Sequence, residues 1–344
     1  MEVMQTRADQ RQVETERKSN ASVSLICTVR NEAKTIRALI ESLFQQTRQP
    51  DEIIIADAAS TDDTRAIIHE YIDQGRPVKL VDGRGNISTG RNKAIDSAVC
   101  DIIVSADAGL TLGDDWVERL VGPIERGEYD VTGGGSEPIT RSLFEAVSCA
   151  MLYAQPHRVA AKVRAGVWHW PTRNGLAFHR QAWREVGGFP EHLDHNEDVV
   201  FAAQLQRSGK RFLFVPDAMV YFRPRSSLKA LYRQLYLYSR GGGMAGTKNK
   251  LYALRVVAAL LSVALPVALA RRTRAPHVLM GFGLPLVGWL AYQRSRLRSV
   301  FVGRPLHEQL LGLLLIPLLR ATIEYARVIG GTVGRVERYR RRLR

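Results

Sequence analysis

The chain has 344 residues, with 45% hydrophobic and 24% charged side chains, which suits a folded protein of more than one core and excludes a disordered or fibrous one. Its net charge of +15 is unevenly placed: residues 251–344 carry 16 Lys/Arg against three Asp/Glu, a net of +13, so residues 1–250 hold only +2. A near-neutral domain followed by a basic, apolar one points to an anionic membrane surface rather than to nucleic acid. The three cysteines have neither disulfide nor metal spacing, which fits a reducing compartment.

Residues 1–21 are polar and lack an apolar stretch, and are expected to form a disordered or loose arm with no secretory signal. Val23–Val29 then reads as a buried strand, 33–46 as a helix and Glu52–Asp57 as a second strand. Ser60-Thr-Asp-Asp63 has the form of a capping box opening a helix that runs to about Asp73. Val78–Asp82, 89–98, 101–106 and 114–126 continue as strand, helix, strand, helix. This alternation predicts βαβ units and a parallel sheet covered on both faces. From Tyr129 the alternation breaks, leaving Gly133-Gly-Gly135, a helix over 143–154 and a strand near Phe212–Pro216. The glycine-rich stretch 241–246 reads as a linker. Beyond it, Val256–Ala270 and Val278–Tyr292 are uncharged and near 15 residues each, short of the roughly 20 of a straight span, and are expected to cross or enter the membrane as a hairpin. Gln309–Leu319 reads as amphipathic.

Carboxylates close two of these strands. Asp107 ends Ile102-Ile-Val-Ser-Ala-Asp, and Asp57 ends the second strand. Ligands of open α/β sheets gather at strand carboxyl ends, where such groups hold a ribose hydroxyl, a ring N–H or a divalent cation; the other reading of Asp107 is an Asp opening a turn. Arg30-Asn31-Glu32 follows the first strand at the same rim, as a ligand contact or a polar loop. Gly83–Asn92 is a small basic loop entering a helix, where backbone N–H groups and Arg91 approach a pyrophosphate or simply start the helix. Asn196-Glu197-Asp198 opens another helix: the carboxylates either complement its dipole or supply a general base to an acceptor hydroxyl. Arg233 and Arg240 lie on a helix ending at the glycine run, over a departing diphosphate or facing solvent and headgroups. The histidines lack zinc spacing.

Taken in order, these pieces resemble an inverting family 2 glycosyltransferase with the GT-A fold. The resemblance rests on Thr28-Val-Arg-Asn-Glu32, Asp57 with Ser60-Thr-Asp62, Gly90-Arg-Asn-Lys-Ala94, Asp107-Ala-Gly109 with Asp115-Trp116, Arg173-Asn-Gly-Leu-Ala-Phe178, Gly187-Gly-Phe-Pro190 with Glu197-Asp198, and Arg233-Gln234 with Arg240-Gly241. It spans about residues 22–245, making 22–245 the expected catalytic domain and 246–344 the membrane-associated helices and basic tail. It implies a nucleotide-diphosphate-sugar donor, Mg²⁺ or Mn²⁺, and a cytoplasm-facing site at the cell membrane. The acceptor it implies is lipid-linked or a glycan, as in envelope polysaccharide or glycolipid synthesis. It implies that Asp198 is the catalytic base, that Thr28, Arg30, Glu32, Asp57, Arg91, Asp107, Arg233 and Arg240 hold the donor, that Asp107 serves the metal, and that Arg173, Asn174 and Glu197 contact sugar or acceptor. Two departures stand out. Gly109 replaces the second carboxylate of the family's Asp-x-Asp, and the Gln-x-x-Arg-Trp signature of processive synthases is missing from 233–240, which favours transfer of one sugar per encounter. Without turnover, the same features suit a membrane-anchored nucleotide-sugar-binding scaffold.

Overall fold

A computed structural model describes residues 21–153, 159, 161, 175–247, 250, 252–258, 260, 261 and 297–343. Two compact units form, one from residues 1–138 and 155–223, the other from 139–154 and 224–344. The first is an eight-stranded sheet of β1 (Val23–Val29), β2 (Glu52–Asp57), β3 (Val78–Asp82), β4 (Ile102–Asp107), β5 (Leu110–Leu112), β6 (Val131–Pro138), β7 (Leu176–His179) and β8 (Phe212–Phe222). The spatial order is β3-β2-β1-β4-β7-β6-β8-β5. β3, β2, β1 and β4 are mutually parallel, whereas β7 runs antiparallel to β4 and β6. The sheet is thus mixed, and the parallel strands expected from the alternation are β3, β2, β1 and β4.

Side chains alternate across the parallel strands, so two apolar layers form. Leu25, Ile53, Ile55 and Val104 face one side, under α1 (Ile36–Phe44), α2 (Thr64–Asp73) and α4 (Trp116–Glu125). Ile26, Ile54 and Ile103 face the other, under α3 (Ile87–Asp96), α6 (Arg180–Glu185) and α7 (Glu197–Arg207), where Phe201 stacks on Phe189. Each such aliphatic side chain taken out of water stabilises the fold by about 1.5–3 kcal/mol.

Three local expectations need correction. Gly133–Gly135 is not a break but the middle of β6, which runs parallel to β8 with a bulge between Gly134 and Gly135. Glycine is needed there because a Cβ on Gly134 would be driven into the Ala218 backbone carbonyl of β8. The Ser60–Asp63 capping box does not form. Asp63 is the N-cap of α2 and makes no side-chain cap bond, because Ser60 Oγ instead accepts from Asn31 N–H at 2.9 Å. The expected linker at 241–246 is helical through Ala245, inside α8 (Leu228–Ala245).

The second unit contains α5 (Leu143–Leu152), α8 and α9 (Leu306–Arg342). α9 absorbs the Gln309–Leu319 segment into 37 residues, about 55 Å at 1.5 Å per residue. Val147, Leu231, Leu235, Ile316, Leu319 and Ile323 form its core. Glycines let two backbones meet: a Cβ on Gly330 would strike the Tyr236 carbonyl, and one on Gly243 would lie 2.6 Å from Gly331 O. Among the described residues, no helix is long and apolar enough to cross a membrane. Most of 256–270 and all of 278–292, like residues 1–20, lie outside the described residues.

Gly134→Ala is expected to destabilise the sheet unit by about 2–3 kcal/mol, since neither backbone of the β6–β8 pair can retreat without losing ladder bonds. Urea unfolding followed by Trp fluorescence measures this.

Candidate active site

The carboxyl ends of β1, β2 and β4 form one rim of the sheet. Register places Thr28 beside both Ala56 and Asp107, and Val29 beside Asp57. Asp57 and Asp107 are thus two strands apart, roughly 10 Å at ~4.8 Å per strand. Strain collects on the loops that leave this rim. Asn31 and Ala59 have φ of 57°, and Asn196 has 64°, a left-handed conformation that non-glycine residues adopt at a cost of about 1–2 kcal/mol each.

The loops after β1 and β2 are laced together. Asn31 Oδ1 accepts from Thr61 N–H at 2.8 Å, Thr64 Oγ1 from Glu32 N–H at 2.8 Å, and Asp62 Oδ2 from Ala33 N–H at 3.1 Å. The Thr64 hydroxyl, followed by these backbone donors, holds the Asp62 carboxyl below its usual value. The Glu32 side chain accepts from Thr35 Oγ1, while Arg30 is exposed. Asp57 is fully buried: its carboxylate accepts from Ser60 N–H at 3.2 Å and pairs with Arg65 at 2.9 Å. A ligand group reaching Asp57 must share or displace one of these donors.

At the β4 end, one guanidinium organises everything. Arg91 is buried on α3; it donates to Asp107 Oδ1 and to Glu197 Oε1, both at 2.7 Å, and stacks 5.3 Å from the centroid of the Phe189 ring. It reaches this point because Gly90 lets α3 lie against β1: a Cβ there would stand 2.9 Å from Thr28 Cγ2. Asp198, the next residue on α7, is near enough to act electrostatically on both Arg91 and Glu197. Three carboxylates therefore share one arginine. Burial pushes Glu197 up to about 7; Arg91 opposes this, and the charges of Asp198 and Asp107 add to it. For Arg91, burial works against its charge, but Asp107 and Glu197 outweigh it and the guanidinium is held more firmly protonated than usual.

Two asparagines that carried no functional reading in the sequence deliver Glu197 and Asp198 to Arg91. Asn92 Oδ1 accepts from Phe189 N–H at 2.8 Å and from Trp183 Nε1 at 3.0 Å, while its Nδ2 donates to Phe189 O and Glu191 Oε1, both at 2.9 Å. Asn86 caps α3 by accepting from Thr89 N–H at 3.0 Å, and its Nδ2 donates to Glu191 O at 2.6 Å. The segment entering α7 is thereby fastened to the N-cap and the middle of α3. Asn86 was legible as a helix cap, and Asn92 stood in the Gly90–Ala94 motif without a role of its own.

The other expected site residues fall elsewhere. Arg173 and Asn174 lie outside the described residues. Arg233 and Arg240 belong to α8 in the second unit, where Arg240 pairs with Glu337 of α9 at 2.9 Å. Gly109 has φ of +75° and no atom within 4 Å of where a Cβ would sit, so its turn favours glycine although space for a side chain is open. Among the described residues, no group of three or more His, Cys, Asp or Glu is arranged to hold a metal ion.

The family model "Glycosyl transferase family 2" matches residues 24–184, the stretch that builds β1–β4, α3 and β7. The succinoglycan biosynthesis protein ExoA of Rhizobium meliloti is 29% identical over 286 residues, covering 79% of this chain and 81% of that protein. Residues 24–184 thus carry a glycosyl transferase family 2 domain. This glycosyltransferase is also 25% identical over 201 residues to the O-antigen chain rhamnosyltransferase WbaN of Salmonella anatum, covering 51% of the chain and 58% of that protein. In fold it resembles the mannosyltransferase PcManGT of Pyrobaculum calidifontis, solved with GDP-Man and Mn²⁺, with a TM-score of 0.53 and 17% identity over 94% of this chain and 92% of that one. The mixed sheet is thus of the GT-A type.

The raised carboxyl of Glu197 gives a pH signature. A folded-state value above the unfolded one stabilises the protein fully below about 4.5, and that contribution is lost as pH rises through about 7. Relative to Glu197→Gln, the wild-type enzyme is expected to lose on the order of 1–3 kcal/mol between pH 4.5 and pH 8. Chemical denaturation of both proteins across that range measures the difference. A difference growing with pH would mean that Arg91 outweighs burial.

Proposed function

We propose that the enzyme transfers a single sugar, with inversion, from a nucleotide-diphosphate-sugar donor to a membrane-associated, lipid-linked acceptor at the cytoplasmic face of the membrane. The observation that carries the donor half is the cluster of Asp107, Glu197 and Asp198 about Arg91 at the strand ends of a family 2 domain. The acceptor half is supported by the net charge of +13 over residues 251–344 and by the uncharged segments within them. Kinship with a succinoglycan biosynthesis protein supports a role in polysaccharide synthesis.

In this reading the donor lies along the rim, its base and ribose toward Asp57 and Thr28 and its diphosphate toward Asp107. Asp198 accepts the proton of the acceptor hydroxyl as that oxygen bonds to the anomeric carbon. The carbon–oxygen bond to the diphosphate breaks on the opposite face, and its electron pair leaves with the nucleoside diphosphate. The sugar carbon passes through an oxocarbenium-like state, which the nearby carboxylates stabilise. Arg91 keeps Glu197 and Asp107 in place, so that Asp198 meets its substrate without reorganisation.

Asp107 would hold a divalent cation at this site. Only Asp107 Oδ1 is engaged by Arg91, the side chain is 40% exposed, and Mg²⁺ is commonly held by one or two carboxylates with phosphates and water. Such an ion supplies charge stabilisation to the departing diphosphate. The scaffold reading is favoured by one feature alone, the glycine at position 109.

Asp198→Asn is expected to lower turnover by at least ~10²-fold with donor affinity unchanged, the loss expected of a general base. Release of nucleoside diphosphate from a panel of nucleotide sugars, with membrane lipid present, checks this; no release from any donor in the wild-type enzyme would leave the scaffold. Chelation with EDTA should stop that release and added Mn²⁺ restore it.

A further inference from the structure

The second unit gathers positive charge at one point. Arg320, Glu324 and Arg327 follow one another at i, i+4 and i+7 along α9, and therefore share a face. Arg255, from the helical residues 252–258, comes to the same carboxylate. Glu324 lies 3.0 Å from Arg320, 3.5 Å from Arg327 and 3.6 Å from Arg255. Three guanidiniums thus share one carboxylate, leaving a local excess of two positive charges.

The chain supplies little to offset that excess. Residues 224–344 contain only three carboxylate side chains, and Glu308 and Glu337 pair with Arg304 and Arg240. Residues 262–296 contain no Asp or Glu at all. The cluster is also withdrawn from water, the four side chains being between 24% and 37% exposed. Burial, followed by Arg255 and then Arg320, pulls the Arg327 guanidinium below its usual value, while Glu324 opposes this. An arrangement that its own charges oppose is the form a protein takes around an anion it binds.

The surroundings specify what kind of anion. Arg255 stands beside the uncharged run 256–270 in sequence, and residues 251–344 carry a net charge of +13. A chain of that pattern meets anionic lipid, whose charged head the arginines can take while its acyl chains stay in the bilayer. We propose that Arg255, Arg320 and Arg327 form a binding site for the phosphate headgroup of a lipid. The inference does not depend on the identity of the glycosyl acceptor. It applies equally if the first unit does no catalysis.

The test uses the full-length protein in a neutral detergent, titrated with phosphatidic acid, phosphatidylcholine or inorganic pyrophosphate and read by thermal shift. Phosphatidic acid is expected to raise the melting temperature and phosphatidylcholine to leave it unchanged. In Arg255→Gln/Arg327→Gln the half-saturating amount of phosphatidic acid should rise at least about tenfold, the equivalent of one lost charge-assisted hydrogen bond. That variant should melt no lower than wild type without lipid, because it relieves repulsion. Glu324→Gln should act in the opposite sense, melting lower without lipid and saturating with less of it. Equal responses to both lipids would overturn the proposal. So would an equal loss in Arg340→Gln/Arg341→Gln, which would assign binding to the basic tail, or no change in either cluster variant. Pyrophosphate saturating as readily as phosphatidic acid would overturn the lipid and leave a site for free phosphate.

Discussion

Arg91 does the structural work that most of the site relies on. Its guanidinium joins the end of β4, through Asp107, to the start of α7, through Glu197, two positions 90 residues apart in sequence. Both bonds are short and the arginine is buried, so neither carboxylate can leave without exposing an uncompensated charge to an apolar layer. The pair is a weak source of net stability for the same reason, since removing three charges from water costs nearly what their attraction returns. What it secures is geometry. Asp198 inherits its place from Glu197, and it need not bond to Arg91 itself to be held.

The demands of that one contact extend outward. α3 must lie close to β1, which Gly90 permits. The segment before α7 must be held, which Asn86 and Asn92 accomplish from the N-cap and the middle of α3. Asn196 must turn through a left-handed conformation to start α7 where Glu197 can face inward. Each is a local cost or a close approach that has no reason apart from the charge cluster. Asn31 and Ala59 on the neighbouring loops take the same left-handed conformation at this rim.

Where a single local rule sufficed, the sequence was a good guide. The strands β1, β2 and β4 are predominantly apolar runs, and buried parallel strands read that way. The carboxylates at their ends were legible because a strand's last residue has a known address in such a sheet. The rest depended on partners distant in sequence. β6 looked like a break because three glycines deny a strand its usual side chains; only the proximity of β8 explains them. The glycines of α8 misled in the same way, reading as a linker until α9 supplies the backbone they accommodate. Asp57 closes β2 as expected, but the donors that occupy it come from the following turn, through Ser60 N–H, and from α2, through Arg65. Asn92 stood in the Gly90–Ala94 motif, but its role did not show there because its four bonds all go to residues more than 90 positions away.

The two units treat charge oppositely, and the contrast bears on what each meets. In the first, three carboxylates crowd one buried arginine, a local deficit of positive charge beside a rim suited to phosphates. Phosphates alone would be repelled there; under the proposed function the donor diphosphate would arrive with a divalent cation that offsets this excess. In the second, three arginines crowd one carboxylate, and the excess has the sign that attracts phosphate directly. A donor that carries its own cation and a lipid headgroup that does not would each find the complementary field. Electrostatics thus separates two phosphate-bearing ligands that hydrogen-bonding capacity alone would leave interchangeable.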